Sequence, residues 1–324
     1  MQKMIDPLFL EAAPATELIR RYTAASGPLD GLADIRLPVL QRVLHDDTDG
    51  LLTTVVSDAQ SALEDPEVAF AAIDMPSVSD NPQTDALLGC LLATTIQTAI
   101  STPVIDRHSG TPFSLYNASQ ENEAKLVDAG LKFYSPEDRL GFHSDGLITE
   151  AGIHVPKFVS VYNLMIAYRQ PGNFYFLPFA VWDELAKFRN AVGVNRDVTF
   201  SMTPIVHALD SGEIKASQSN PVTAPLFWQD GDAEAIFYNG EIDTGPKELI
   251  ELADQMRQSL LDNPRRMACP IRNRRMFIMA NDKGVHARDV FADPILGTKY
   301  TRSFLRYVSQ DAHCVKAKVR DHAA

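Results

Sequence analysis

Three side chains in this sequence have the types and the spacing of a metal site. In the segment Gly141-Phe142-His143-Ser144-Asp145-Gly146, an imidazole and a carboxylate are two residues apart, so on an extended strand both project from the same face. His286, far along the chain, offers a second imidazole. Two histidines and one carboxylate form the facial triad that holds non-haem Fe(II) and leaves coordination positions open. Taken alone, the His-x-Asp pattern also fits a surface histidine beside a solvated aspartate.

Two arginines near the C-terminus extend the pattern. The segment Thr301–Val308 alternates, so Arg302, Phe304 and Arg306 project from one face of a predicted strand. Two guanidinium groups on a face that lines a core are costly to bury without anionic partners. Carboxylate ligands would supply those partners, because a guanidinium fork matches a carboxylate bidentately. A surface arginine at a strand end is the alternative for Arg306.

Composition describes an acidic globular chain. Its 324 residues are 45% hydrophobic, and no stretch resembles a linker, so we expect one domain over residues 1–324. The net charge of -12 and the pI near 5.1 argue against a nucleic-acid partner, since phosphate binding needs clustered Lys and Arg.

The cysteines and the apolar runs indicate the compartment. Cys90, Cys269 and Cys314 are odd in number and scattered, which fits neither a disulfide framework nor a CxxC metal site. The N-terminus has no signal-peptide pattern, and no apolar run is long enough to span a bilayer. We therefore expect a cytoplasmic protein without a membrane partner.

The elements that would position these side chains change in type along the chain. Residues 1–100 are mainly helical by periodicity, as in Ala15–Tyr22, Leu37–Leu44 and Ala86–Ile100, with one strand-like run near Val68–Met75. We expect this part to pack on a β core over residues 101–310 that carries helical insertions.

Short runs rich in Val, Ile, Phe and Tyr follow, broken by turn residues. They predict strands over Phe158–Tyr168, Phe174–Phe179 and Arg275–Ala280, the last of which leads to His286. Helices are predicted over Val181–Val192 and, after Gly245-Pro246, over Leu249–Leu260. Many short strands with few helices favour a mixed α/β, mainly β fold with a sandwich or jelly-roll core and flanking helices.

Together, His143-x-Asp145, the remote His286 and the pair Arg302 and Arg306 resemble the Fe(II)/2-oxoglutarate-dependent dioxygenases of the taurine dioxygenase and clavaminate synthase-like superfamily. The resemblance covers roughly residues 65 to 310 and implies a double-stranded β-helix, or jelly-roll, core. It implies that the cofactors are Fe(II), 2-oxoglutarate as co-substrate and O2.

The resemblance also implies a role for each matched position. His143, Asp145 and His286 would bind the iron, and Arg302 would bind the distal carboxylate of 2-oxoglutarate. Arg306 would hold an acidic group of the substrate. Because related halogenases lack the acidic ligand, Asp145 favours oxygen transfer, usually hydroxylation.

Two positions depart from the family pattern. Relatives often have Gly-Gly-x-Thr after the long strand, and the Thr hydroxyl also binds 2-oxoglutarate. Here Pro171-Gly172-Asn173-Phe174 stands in that place, so Asn173 is the candidate substitute, or the contact is missing. The usual His-Gly-Arg is His286-Ala287-Arg288.

The resemblance gives less information about the substrate. Glu241 and Asp243 occupy a place that, in relatives acting on basic amino acids, holds the cationic side chain; a polar turn capping the Pro246 helix is the alternative. Glu121 belongs to a mobile active-site lid or to a solvated loop. A free basic amino acid such as lysine, arginine or ornithine is the favoured small-molecule substrate.

Three other functions stay open. One is a sulfonate or other small-acid oxygenase on the same scaffold, with Arg306 holding the sulfonate. A second is a metal-binding jelly-roll protein without oxygenase activity. A zinc hydrolase ranks last, because zinc prefers tetrahedral His-rich or Cys-containing sites and the sequence offers no obvious general base. The sequence does not indicate the oligomeric state.

Overall fold

The computed structural model of this chain describes residues 3–119, 136–149, 152–200, 205–208, 214–217, 222–231, 233–238, 242, 245–316 and 318–319. Within these residues the fold is mixed α/β and mainly β, as the sequence predicts. No helix among them is long and apolar enough to cross a membrane.

Four helices occupy the first hundred residues, and two more lie later in the described chain. Asn81 begins the fourth helix with a side-chain cap on the Gln83 and Thr84 backbone N–H groups, and a proline follows at the first helical position. The helices are α1 (Ala12–Ser26), α2 (Leu37–His45), α3 (Thr53–Glu64), α4 (Pro82–Ile100), α5 (Leu185–Val192) and α6 (Lys247–Asp262).

Short strands make up most of the rest. They are β1 (Lys3–Met4), β2 (Leu8–Phe9), β3 (Phe70–Asp74), β4 (Ser114–Ala118), β5 (Leu140–His143), β6 (Leu147–Thr149), β7 (Gly152–Pro156), β8 (Phe158–Ile166), β9 (Tyr168–Gln170), β10 (Asn173–Pro178), β11 (Asp197–Phe200), β12 (Ile205–Ala208), β13 (Ile214–Ser217), β14 (Val222–Pro225), β15 (Phe227–Asp230), β16 (Ala233–Ile236), β17 (Met267–Pro270), β18 (Arg275–Ala280), β19 (Gly284–Arg288), β20 (Ala292–Pro294), β21 (Arg302–Val308), β22 (Ala312–Val315) and β23 (Lys318–Val319).

Two large sheets carry the predicted site residues. One has the order β1-β17-β10-β19-β5, and the other has the order β2-β3-β18-β8-β21-β4. Both are antiparallel except at their N-terminal edge strands, where β1 and β2 pair in parallel with β17 and β3. Residues near the N-terminus, which the family resemblance does not cover, thus form one edge strand of each large sheet.

Each large sheet has helices against one face. On the six-stranded sheet, α4 packs on β8, and the Thr94 hydroxyl is 3.0 Å from the Tyr307 hydroxyl. On the five-stranded sheet, a second apolar cluster joins Val285 and Ala287 to residues of α5 and α6. The opposite faces of the two sheets meet at the ring of Phe70. Its centroid lies 5.8 Å from that of Phe174 and 5.9 Å from that of Phe277, and both pairs are stacked.

The structure differs from the predicted element bounds at two places, Ala167 and Trp182. The predicted strand over Phe158–Tyr168 divides at Ala167, whose N–H donates to Thr301, and β9 pairs with β20 instead. The predicted helix over Val181–Val192 is a 3-10 turn at Phe179–Val181 followed by α5. Between them the extended backbone of Trp182 interrupts the helix, and its indole donates to Ser259 of α6.

Candidate metal centre

Strand pairing brings the two histidines together. In the antiparallel pair of β19 and β5, His286 is the register partner of His143, although the two residues are 143 positions apart in the sequence. Val285 and Ala287 face the apolar cluster under α5 and α6, so the alternation of the strand turns His286 to the other face. The imidazole centroids are 4.1 Å apart.

Asp145 completes the cluster just after β5 ends. One ligand atom from each of His143, Asp145 and His286 lies within 4.8 Å of the other two, and this is the one group of three metal-ligating side chains in the described part of the chain. The His143 Nε2 atom lies 3.8 Å from Asp145 Oδ1. The donor set is the two-histidine, one-carboxylate set that suits non-haem iron.

Each imidazole offers a nitrogen atom to the cluster. His143 Nδ1 is 2.8 Å from the Gly141 carbonyl, which can only accept a hydrogen bond, so Nδ1–H is the donor and Nε2 is the nitrogen that lies near Asp145. His286 is 5% exposed, and its buried Nδ1 has no hydrogen-bond partner among the described residues. Burial lowers the pKa of His286 to about 3, so this imidazole is neutral. The donors therefore fit a divalent metal ion.

Arg306 lies on the other side of Asp145. Its Nη2 atom is 3.0 Å from Asp145 Oδ2, while Asp145 Oδ1 is the oxygen near His143. Burial opposes ionisation of this carboxyl, but the Arg306 guanidinium outweighs it and holds the pKa of Asp145 well below its usual range. In return, Asp145 outweighs burial and raises the pKa of Arg306. The carboxylate is therefore ionised, with one oxygen committed to arginine.

Arg302 lies one pleat repeat beyond Phe304 on the same strand face, in a different environment. Its guanidinium is 4.1 Å from the centroid of Phe304 and 5.0 Å from that of Phe291, and its Nη2 donates a long hydrogen bond of 3.4 Å to Asn163 Oδ1. Arg302 Nε is buried without a hydrogen-bond partner, and no carboxylate in the described residues forms an ion pair with this side chain. Burial, then the charge of Arg288, lowers the pKa of Arg302 well below its usual value.

Arg288 is a second buried arginine near Phe291. It is 4% exposed, its guanidinium lies 5.0 Å from the Phe291 centroid, and it donates to the carbonyls of Pro136 and Asp138 at 2.9 and 3.1 Å. Phe291 is thus placed between two guanidinium groups. Two guanidinium groups thus share contact with one phenyl ring.

The remaining sequence candidates have different outcomes. Asn173, the candidate second ligand for 2-oxoglutarate, directs both its backbone N–H and its Nδ2 to Asp289 Oδ2, at 3.1 and 3.4 Å. Tyr175 donates to the same oxygen at 2.8 Å. Asn173 is therefore engaged by Asp289 at the start of β10, the central strand of its sheet, and its co-substrate role stays a prediction. Glu121, Glu241 and Asp243 lie outside the described residues.

Sequence reasoning gave no role to three buried side chains that complete the site. Phe174 stacks on His286 with ring centroids 5.7 Å apart, Asn163 contacts Arg302, and Asn281 is hydrogen-bonded to Asp145. The available signal was position: each polar residue lies within or directly after an apolar strand, where a polar group needs a buried partner.

Comparison with solved structures gives the fold. A structure of asparagine oxygenase in complex with Fe(II), 2S,3S-3-hydroxyasparagine and succinate aligns with a TM-score of 0.61 at 13% identity, covering 94% of this chain and 93% of that one. The non-haem iron oxygenase OrfP in complex with Fe and alpha-ketoglutaric acid aligns with a TM-score of 0.59 at 12% identity, covering 94% of each chain.

This chain has the fold of the non-haem iron oxygenases. The family resemblance that the motifs indicated is thereby confirmed at the level of the fold. No protein-family model and no curated protein matches the sequence.

Proposed function

We propose that this protein is an Fe(II)- and 2-oxoglutarate-dependent oxygenase that hydroxylates an unactivated C–H bond of a free amino acid. The observation that carries the proposal is the convergence of His143, Asp145 and His286, whose ligand atoms lie within 4.8 Å of one another on an oxygenase fold. Three protein ligands leave coordination positions for co-substrate and O2.

Each residue of the site has a defined task in this proposal. His143, Asp145 and His286 would hold a ferrous ion, which supplies the reaction of O2 with 2-oxoglutarate and a substrate C–H bond. Arg302 would bind the distal carboxylate of 2-oxoglutarate, because it is a buried cation without an anionic partner among the residues that the structure describes. Phe174, Phe291 and Phe304 exclude water around these polar groups.

An amino-acid substrate is supported by the structural neighbours and by the charge of the site. The two similar oxygenases were solved with hydroxyasparagine and, for OrfP, with (3S)-hydroxy-L-Arg. Arg306 is 22% exposed at its side chain, so a substrate carboxylate can reach it beside Asp145. We propose a basic amino acid, with Glu241 and Asp243 as the partners of its cationic group and Glu121 near the substrate.

Several broader expectations remain proposals. The two large sheets, which enclose the candidate site, would be the halves of a double-stranded β-helix core in one domain spanning residues 1–324. A cytoplasmic protein that acts on a small molecule, without a nucleic-acid or membrane partner, agrees with the net charge of -12.

An anaerobic titration tests the reaction class. Adding Fe(II) and then 2-oxoglutarate to the metal-free protein should produce the weak visible charge-transfer band of the chelate. Succinate formation under O2 should follow, and His143→Ala should abolish both signals. An unchanged rate of succinate formation in His143→Ala would rule out the proposed centre.

A substrate panel separates the two oxygenase alternatives. Lysine, arginine, ornithine, asparagine and taurine are added singly, while succinate is measured and mass spectrometry detects the gain of one oxygen. Stimulation by a basic amino acid supports the proposal. Stimulation by taurine alone would favour the sulfonate oxygenase, in which Arg306 binds the sulfonate. Metal binding without succinate formation from any compound would favour a binding protein.

A further inference from the structure

Asn281 is fully buried beside the candidate metal centre but has no atom among the metal-ligating groups. It follows the last residue of β18 and has 0% exposure. A buried carboxamide is costly unless its donors and acceptor are satisfied. Its partners therefore show what it does for the fold around it.

Those partners are the main-chain groups of a metal-ligating residue. The Asn281 Oδ1 atom accepts a hydrogen bond from the Asp145 N–H at 2.8 Å, and its Nδ2 donates to the Asp145 carbonyl at 3.0 Å. The second Nδ2 hydrogen donates to the Pro156 carbonyl at 2.9 Å. The backbone N–H of Asn281 donates to Lys157. One side chain thus binds both polar backbone groups of Asp145.

The residue before Asp145, Ser144, is also held by hydrogen bonds, in this case to residues in and just after β16. The Ser144 N–H donates to the Tyr238 carbonyl at 2.7 Å, and its hydroxyl donates to the Ile236 carbonyl at 3.0 Å. Ser144 is 2% exposed. Since β5 ends at His143, Asp145 has no hydrogen bonds of the sheet ladder. The hydrogen bonds from Asn281, together with those of Ser144, hold the main chain there instead.

We propose that Asn281 is a positioning residue that holds the Asp145 backbone so that the metal-binding carboxylate is in place before metal arrives. The inference rests on the metal centre of the proposed function but not on oxygenase activity. Without Asn281, the Asp145 main chain would lose two hydrogen bonds while its carboxylate kept the 3.0 Å contact with Arg306. The carboxylate would then be drawn toward arginine, away from the imidazoles.

The test measures metal binding alone. Asn281→Ala should weaken binding of Mn(II) and Co(II), measured anaerobically by calorimetry, by about 10- to 100-fold, the range for loss of a group that orients a metal ligand. The visible absorption of bound Co(II) should also change, because it reports ligand geometry. A role confined to global stability would leave this spectrum as in the unchanged protein.

Gln97→Ala is the matched control. Gln97 is a carboxamide with the same 0% exposure and two hydrogen bonds, from Ser160 and to Ser101, on the α4 side of the sheet. It should lower thermal stability while leaving the Co(II) spectrum and both metal affinities unchanged. Equal weakening of metal binding in the two variants would overturn the inference.

A second variant covers the case in which Asn281→Ala does not fold. Asn281→Asp keeps the side-chain shape and the acceptor for the Asp145 N–H but removes both donors. Its added negative charge would by itself strengthen cation binding, so weaker binding supports a positioning role. Unchanged or tighter binding overturns it. If the unchanged protein binds neither metal, the proposed function fails instead, which distinguishes the two failures.

Discussion

Two arginines of one strand face show how differently the two ends of the site are balanced. Arg306 contacts Asp145 at 3.0 Å and its pKa is raised, whereas Arg302 lies among phenyl rings and its pKa is lowered. The metal end thus contains its own counter-charge, whereas Arg302 forms no ion pair with a carboxylate of the described residues. The same residue type on the same strand face acquires its chemistry from the side chains that surround it.

This difference has an energetic consequence. A buried ion pair stabilises little beyond the cost of removing both charges from water, but either charge left alone is strongly unfavourable. Arg302, whose pKa is lowered by burial, is the arginine of this strand that lacks such a pair among the described residues. We expect binding of a dicarboxylate at Arg302 to form one.

The largest effect is expected from removing a metal ligand. His286→Ala should lower metal affinity by more than about 100-fold, because loss of a group that merely supports a ligand already costs 10 to 100-fold. Succinate formation should fall to background. Anaerobic calorimetry with Mn(II) measures the affinity. Binding equal to that of the unchanged protein would show that the metal ion binds at a site that does not include His286.

Arg302→Met tests the other end of the comparison. Affinity for 2-oxoglutarate should fall about 100-fold, because removing one partner of a buried charge pair costs about 2–5 kcal/mol. In contrast, the ligand-free protein should become more stable by about 1 kcal/mol, since an uncompensated buried charge is gone. Denaturant unfolding without ligand measures the second change. A loss of stability there would mean that Arg302 already has an anionic partner.

Arg306→Met should have the opposite effect on the ligand-free protein. Asp145 would keep its charge without its arginine, and we expect a loss of about 2 kcal/mol, reduced from the fully buried case because 22% of the Arg306 side chain is exposed. The same unfolding experiment, run beside Arg302→Met, measures the contrast directly. Equal changes in the two variants would contradict the asymmetry between the two ends.

The smallest effect is expected at Phe291, which lies 5.0 Å from both Arg288 and Arg302. Phe291→Leu keeps an apolar side chain but removes the ring face, so each cation–π contact, worth about 0.5–2 kcal/mol, is lost. Affinity for 2-oxoglutarate should decrease by less than tenfold, while metal affinity should not change. A change in metal affinity would indicate that the two ends are coupled through this ring.

The site divides into residues that sequence patterns reveal and residues that they do not. His143 and Asp145 follow from a two-residue spacing, and the alternation of Arg302 and Arg306 follows from strand periodicity. Both rules act over a few residues. The pairing of Arg306 with Asp145 was not anticipated, because the sequence analysis assigned that guanidinium to an acidic group of the substrate.

The fold divides in the same way. The strand over Arg275–Ala280 was predicted with its observed bounds, since a continuous apolar run between turn residues defines it. The short strands β1 and β2 carry no such signal, and they form only because β17 and β3 offer free edges to pair with. At the break in the predicted helix, the Trp182 indole likewise has a distant partner, Ser259 of α6.

The sequence by itself determined which donors exist, which strand faces they share and that the chain is mainly β, because residue type and local periodicity settle these properties. Tertiary structure alone decided that His286 pairs in register with His143, that Arg306 neutralises Asp145 while Arg302 does not, and that Asn281 holds the Asp145 backbone. These are contacts across 100 or more residues of chain, as the differences between the residue numbers show. Their geometry depends on how the two sheets pack, which no local pattern encodes.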